Sequence, residues 1–321
     1  VGSEMCIRDS YNLENGIRKH FGETPFYVEE GIAGYRVRIT KVLNRVIVIT
    51  RGGYICPFST ERVTDFFDVE KFFNDNPDLV LCGTIAGPDN PYVREHPSYI
   101  KEDIKFYLSD IVKKVSGDRL SQDEIKSLSE KYNIPHARVF GKFTLEKLND
   151  LWGIIDLIED EENYGILLKD EEGKKVHLLY MTPTGNINEL LTSSDYYLEL
   201  PHVHYIQRIL RIGYHLAQRE LKNETLDKIT KRLGEALLLP FAKNLKDVIA
   251  TKKTVEEEFS IKVKNPKTAE KLLNHLLNLK RDIQIRDVRK DDGLWTVTFV
   301  ELHRAATKNQ AGFWRGNSVA L

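Results

Sequence analysis

An α+β fold of more than one unit is what this sequence predicts, on three observations. Short β-branched runs broken by Gly-, Pro- and Asn-rich turns occupy most of the first 200 residues. Helical periodicity takes over after Pro201, and a strand–helix–strand–strand pattern follows from about Glu257. With 321 residues, 41% hydrophobic and 30% charged, the chain has the apolar mass for a real core. No apolar run approaches the ~20 residues a bilayer requires, which argues against a membrane-spanning protein. Three cysteines, Cys6, Cys56 and Cys82, suit neither a disulfide framework nor a zinc site, so a reducing, cytoplasmic setting is expected.

Residues 1–10, VGSEMCIRDS, have no start Met, apolar h-region or periodicity. They read as a non-native leader, similar to translated sequencing-adapter read-through. They are set aside with Cys6, and a native N-terminal portion is expected upstream. Residues 26–50 read as a β-hairpin: Phe26-Tyr27-Val28, then alternating Tyr35–Ile39, then β-branched Val46–Thr50, with Leu43-Asn44-Arg45 as the turn. A helix is expected over 61–75, with Thr60 as N-cap. Leu79–Gly83 and Phe106–Ile111 read as strands around the loop Gly87-Pro88-Asp89-Asn90-Pro91. Ser121 and Glu124 form a capping box that starts a helix over 121–132. A helix over 144–158 precedes strands at 165–169 and 176–180 joined by a Glu-Glu-Gly turn.

The expected division is 1–10 leader, 11–200 main α+β domain, 201–255 helical segment and 256–321 small α/β module. Net charge is −1, which excludes a uniformly basic coat. Residues 201–290 nevertheless hold 20 Lys and Arg against 11 acidic residues, the distribution expected of an appendage that meets a polyanion. A solvated helical surface explains it equally well.

Three segments carry a resemblance. The first is Gly31-Ile32-Ala33-Gly34-Tyr35-Arg36-Val37-Arg38, followed by Thr50-Arg51-Gly52-Gly53-Tyr54-Ile55-Cys56-Pro57-Phe58. The second is Cys82-Gly83-Thr84-Ile85-Ala86-Gly87-Pro88-Asp89-Asn90-Pro91-Tyr92-Val93, with Phe106–Ile111 behind it. The third is Tyr164-Gly165-Ile166-Leu167-Leu168-Lys169 with Leu179-Tyr180-Met181-Thr182-Pro183. In order and spacing the chain resembles the archaeal-type homodimeric ATP-dependent RNA ligases of the covalent nucleotidyltransferase superfamily. The resemblance implies a nucleotidyltransferase (ATP-grasp-like ligase adenylation) domain, a helical dimerisation segment and a C-terminal α/β module. It implies ATP and magnesium as cofactors, RNA as substrate, and joining of a 5′-phosphate to a 3′-OH through lysyl-AMP. There the lysine is the nucleophile, carboxylates hold ribose and metal, and cations cover the phosphates.

Against that pattern the lysine position is Gly31 and the Asp/Asn position Ala33, and no lysine lies between Lys19 and Lys41. The carboxylate positions are Thr84 and Tyr164, and a phosphate-lysine position is Leu179. The catalytic set is therefore read as none and the metal set as none. A member that keeps the fold and has lost adenylyl transfer is expected, binding RNA ends or nucleotide, or pairing with an active ligase. The alternatives are a working ligase with an unconventional nucleophile and a structural partner with a vestigial pocket. The nucleotide- or phosphate-binding candidates are Arg38, Arg51, Phe106, Tyr107 and Lys169. For Phe106 or Tyr107 the role would be stacking on a base, against core packing. Arg36 stands where the family has a neutral polar residue and is expected near the vacated lysine site. His202 and His204, lacking a third ligand, carry no metal expectation. The stripe Ile206, Ile209, Leu210, Gly213, Leu216-Ala217 reads as core or as a homodimer face, with heterodimerisation as the other outcome. Trp152, Trp295 and Trp314 read as core or edge residues. No feature points to DNA or to a membrane.

Overall fold

A computed structural model describes residues 7–318. In chain order the elements are β1 (Ile7–Asp9), α1 (Leu13–His20), β2 (Phe26–Gly31), β3 (Tyr35–Val42), β4 (Arg45–Thr50), α2 (Pro57–Arg62), α3 (Val69–Asp75), β5 (Leu79–Ala86), β6 (Lys105–Lys113), α4 (Gln122–Tyr132), β7 (Val139–Phe143) and α5 (Leu148–Asp160). They continue with β8 (Gly165–Asp170), β9 (His177–Met181), α6 (Pro183–Ser193), α7 (His202–Ala217), α8 (Asn223–Thr251), β10 (Val255–Val263), α9 (Pro266–Asn278), β11 (Ile283–Asp291), β12 (Leu294–His303) and α10 (Arg304–Trp314). The strands form three sheets, ordered β1-β9-β8-β2-β7, β4-β3-β5-β6 and β10-β12-β11. Among the described residues, no helix is long and apolar enough to cross a membrane.

Local chemistry explains much of this. β3 and β4 close through Leu43 and Asn44, both at positive φ, the geometry a two-residue hairpin turn demands. Ser121 and Glu124 make the expected capping box on α4, and Asn133 ends that helix in the left-handed conformation. Thr182 caps α6, with Pro183 in its first turn.

Four expectations need correction. Residues 26–50 are not one hairpin, because β2 pairs with β8 and β7 while β3 pairs with β4 and β5. The chain crosses between sheets at Gly34, where a Cβ would stand 2.5 Å from the Ile85 carbonyl oxygen, so only glycine fits. The helix at 61–75 is two helices, and Cys56 rather than Thr60 caps the first. Residues 1–10 are not all outside the fold: Ile7–Asp9 pair in parallel with His177–Leu179, and Asp9 ion-pairs with Arg211. Residues 1–6, Cys6 among them, lie outside the described residues. Trp314 is 64% exposed, neither core nor edge, whereas Trp152 and Trp295 pack against the cores.

The C-terminal unit is less separate than the sequence suggests. Phe259, Ile261, Leu272 and Phe299 share one apolar cluster with Tyr35 and Phe106 of the second sheet and Phe58 of α2. Arg62, 3% exposed, reaches Asp103 at 2.6 Å and donates to the Lys262 carbonyl oxygen at 2.7 Å. Lys262 pairs with Asp89 at 2.8 Å, and Lys264 pairs with Asp65. These two lysines, part of the basic surplus, pair with carboxylates of the body although both keep solvent access.

His215, on the inward face of α7, is 3% exposed and hydrogen-bonded to the Tyr180 hydroxyl at 3.1 Å. Burial first, then Arg219, pushes its pKa down to about 4. Below about pH 6.5 the unfolded chain binds a proton that the folded chain refuses. Stability is therefore full above that pH and is lost as pH falls toward 4. The loss is expected to be about 2–3 kcal/mol. His215→Phe should flatten it, read as urea midpoints across a pH series.

Candidate functional site

Strand alternation aims one face of each of the first two sheets into a shared cleft. Glu29 and Gly31 of β2, Leu167 of β8 and Leu179 of β9 meet Arg36 of β3, Thr84 of β5 and Tyr107 and Ser109 of β6 around one small cavity. Gly31, Thr84, Tyr164 and Leu179, far apart in sequence, thus converge. The cavity measures about 30 Å³, enough for a water molecule or two. Leu167, Leu179 and Met181 form a buried apolar cluster beside it, with Ile7 and Tyr164 packed on it. A Cβ on Gly31 would lie 3.1 Å from Leu179 Cδ1 and 3.2 Å from the Gly165 carbonyl oxygen, tight contacts that a larger side chain would have to displace.

Polar groups around the cleft are mostly committed. Lys169, 1% exposed, pairs with Glu29 at 2.5 Å and donates to the Ser109 carbonyl oxygen at 2.6 Å. Glu30 accepts from the Tyr99 hydroxyl at 3.2 Å and faces Arg138 at 3.4 Å; burial raises its pKa despite the arginine. Tyr164 donates to Glu189 at 2.7 Å, and burial, reinforced by Glu189, pushes its phenol well above the usual range. Asp110 and His177 form a fully buried pair at 2.6 Å. Burial works to raise the Asp110 pKa, yet His177 takes it below the usual carboxylate value.

The sequence candidates separate accordingly. Tyr107 lines the cavity and hydrogen-bonds Tyr99. Arg38 shares the cleft-facing side of β3 and hydrogen-bonds Cys82. Arg51 is exposed, just beyond β4, its amide donating to the Arg36 carbonyl oxygen at 3.2 Å. Phe106 is fully buried against Phe66 and Phe67, with no face toward the cleft, so it stacks on core rings and not on a base. Lys169 lies on the cleft side but is already spent on Glu29. The sequence reading passed over Glu29, Glu30 and Glu189; the alternation of β2, with Phe26 and Val28 in the core, would have placed Glu29 in the cleft.

Two further cavities flank the first. One of about 170 Å³ touches Ala33, Arg94, Glu95, Asn163 and Tyr164. One of about 390 Å³ lies between α4 and the floor residues Glu29, Ser109 and Lys169. No cluster of three or more His, Cys, Asp or Glu that could hold a metal exists among the described residues. Small-molecule and cofactor pockets span roughly 300–1,000 Å³. The cavity where the four positions meet is far smaller, and both carboxylates beside it are already engaged. Residues at that point fit neither a nucleoside triphosphate nor its metal.

Residues 24–179 match the family model described as RNA ligase, and residues 192–317 match the one described as ligase Pab1020 C-terminal region. A chain described as "Putative ATP-dependent DNA ligase from Aquifex aeolicus" superposes with a TM-score of 0.91 at 32% identity, covering 98% of this chain and 86% of that one. This chain belongs to the RNA ligase family. Two structures of an archaeal ATP-dependent RNA ligase, forms 1 and 2, superpose at TM-score 0.90 and 27% identity over 98% of this chain and 82% of theirs. An uncharacterised protein of Methanocaldococcus jannaschii is 29% identical over 283 residues, 86% of this chain and 70% of that protein. The expected nucleotidyltransferase fold with a C-terminal module is thus the observed one. Membership makes the contents of the cleft notable, since an RNA ligase family scaffold here frames glycine, threonine, tyrosine and leucine.

Proposed function

We propose that this RNA ligase family protein has lost adenylyl transfer and works as a dimer that holds RNA ends. One observation carries the reading. Gly31, Thr84, Tyr164 and Leu179 converge on a cavity of about 30 Å³ lined by no lysine, whose two carboxylates, Glu29 and Glu30, are both paired with cations. A lysine nucleophile, metal carboxylates and a phosphate lysine are absent together, while the scaffold around them is intact. RNA as ligand follows from the archaeal relatives, described as ATP-dependent RNA ligases.

Exposed lysines on α8 support contact with a polyanion. Lys243 and Lys246 have no ion-pair partner among the described residues, unlike Lys262 and Lys264. Gel shifts with short single-stranded RNA across a salt series test this. Affinity should fall with a log–log slope that Lys243→Glu/Lys246→Glu flattens by roughly one to two units. No binding at low salt would remove the RNA role.

The dimer rests on α7. Ile212 is buried inward, while Val203, Ile206, Leu210 and Tyr214 stand about half exposed on the opposite face. A stripe of that kind fits a second copy of the chain. Light scattering at micromolar concentration should give a dimer. Leu210→Asp, which would bury an unpaired charge at the contact, should give a monomer. A wild-type monomer would sink the assembly reading.

A further inference from the structure

One side of α9 carries cations that the fold does not engage. Ala269, Leu272, Leu273 and Leu276 turn its apolar side into the core. Lys267, Lys271, Asn274, His275 and Asn278 recur at three- and four-residue spacing along another side, all exposed except the half-buried His275. Among the described residues, the ammonium groups of Lys267 and Lys271 make no ion pair and no hydrogen bond, whereas Lys262 and Lys264 of the same module are paired. Glu270, the one acidic residue of the helix, flanks this strip and lines a groove toward β11. The strip stands apart from the cleft, since α9 contributes no residue to the cavity where Gly31 and Thr84 meet.

An aromatic platform adjoins the strip. The Tyr54 ring, 48% exposed, meets the His275 ring at 5.2 Å between centroids. The turn that presents it is held by its own backbone. The Thr50 amide donates to the Tyr54 carbonyl oxygen at 2.9 Å, and the Gly53 amide donates to the Thr50 carbonyl oxygen at 2.9 Å. A Cβ on Gly52 would stand 3.2 Å from the Tyr54 ring, so glycine leaves the ring its place. Folding gains little from a ring left half in water, and a fixed turn lowers the entropy cost when another ring stacks on it.

We propose that Tyr54 and α9 form a track for single-stranded RNA, in which an unpaired base stacks on Tyr54 and neighbouring phosphates lie along Lys267 and Lys271. The inference rests on the RNA reading above and adds the surface and the kind of strand. Four residues of helix advance about 6 Å, so the two lysines can meet phosphates of one strand. Every base has a π-face, so stacking on Tyr54 needs no particular sequence. It does need a base that is not already stacked within a duplex, which favours an unpaired strand. An acidic peptide would satisfy the lysines and leave the exposed ring unused.

Fluorescence anisotropy with a labelled 5′-hydroxyl RNA strand of about a dozen nucleotides, across a salt series, tests it. Tyr54→Ala should weaken binding by about fivefold or more, and Tyr54→Phe, which keeps the ring face, should stay within about twofold of wild type. Lys267→Gln/Lys271→Gln should lower the log–log salt slope by about 1.4, two contacts at about 0.7 each, and leave the Tyr54 dependence in place. The same sequence as a duplex should be indifferent to Tyr54→Ala. Both lysines are exposed, so their variant keeps the test valid even if Tyr54→Ala disturbs its turn. Unchanged affinity in Tyr54→Ala, an unchanged slope in the lysine variant, or an equal Tyr54 effect on the duplex would each overturn the track and leave the RNA reading standing. No binding of any strand at low salt would overturn the RNA reading itself. Polyglutamate displacing the strand at equal or lower concentration of charge would mark an acidic protein as the partner and overturn the assignment to RNA.

Discussion

Incubated with α-labelled ATP and magnesium, the protein is expected to carry no covalent label. Adenylylation should fall on the order of a thousandfold or more below that of a family member with its lysine in place. Gly31 has no side chain to attack a phosphate. Its surroundings would also resist the simplest repair. In Gly31→Lys the new Cβ would press on Leu179 Cδ1 at 3.1 Å and the Gly165 carbonyl oxygen at 3.2 Å. Beyond it the amine would meet the apolar cluster of Leu167, Leu179 and Met181, which disfavours a charge and offers no metal carboxylate. Single substitution is therefore expected to leave the protein unlabelled, and to cost stability as well. Acid-stable label on the wild type, or robust labelling of Gly31→Lys, would show that another group performs the transfer.

How far the sequence reached can be judged from particular residues. The α4 capping box and the β3–β4 turn were legible because a few adjacent side chains determine them. The sheet switch at Gly34 was not, since it depends on how close Ile85 comes in space. α1 went unpredicted because only Leu13 and Ile17 on it are buried, too few to show periodicity. α6 went unpredicted because it buries Thr184, Gly185 and Asn186 alongside Ile187 and Leu190, blurring the apolar stripe. In the site, motif spacing placed Gly31, Thr84, Tyr164 and Leu179, and they do meet. Phe106 took its core-packing alternative and Lys169 proved ion-paired, for one reason. Residue type suggests chemistry, but the partner decides it, and Phe66 and Glu29 are visible only after folding. The same holds for Lys262 and Lys264, counted as a field for RNA and found in ion pairs with Asp89 and Asp65.

Lys169→Met should destabilise the fold by about 3–5 kcal/mol, the usual cost of removing one partner from a buried ion pair. Lys169 is 1% exposed and Glu29 12%, so the carboxylate left behind has little access to water. The substitution also strips the Ser109 carbonyl oxygen of the donor that Lys169 supplies at 2.6 Å. Glu29→Gln alone should be costly for the mirror reason, stranding an ammonium. Glu29→Gln/Lys169→Met removes both charges and keeps the side-chain volumes similar, so it should cost less than the sum of the singles by at least about 1 kcal/mol. Urea unfolding of the wild type and the three variants measures the cycle. If Lys169 were instead held ready for a phosphate, Lys169→Met would relieve a strained buried charge, leave stability unchanged or raised, and weaken anion binding. The structural reading requires the opposite pattern, with a large loss of stability and a clear coupling to Glu29.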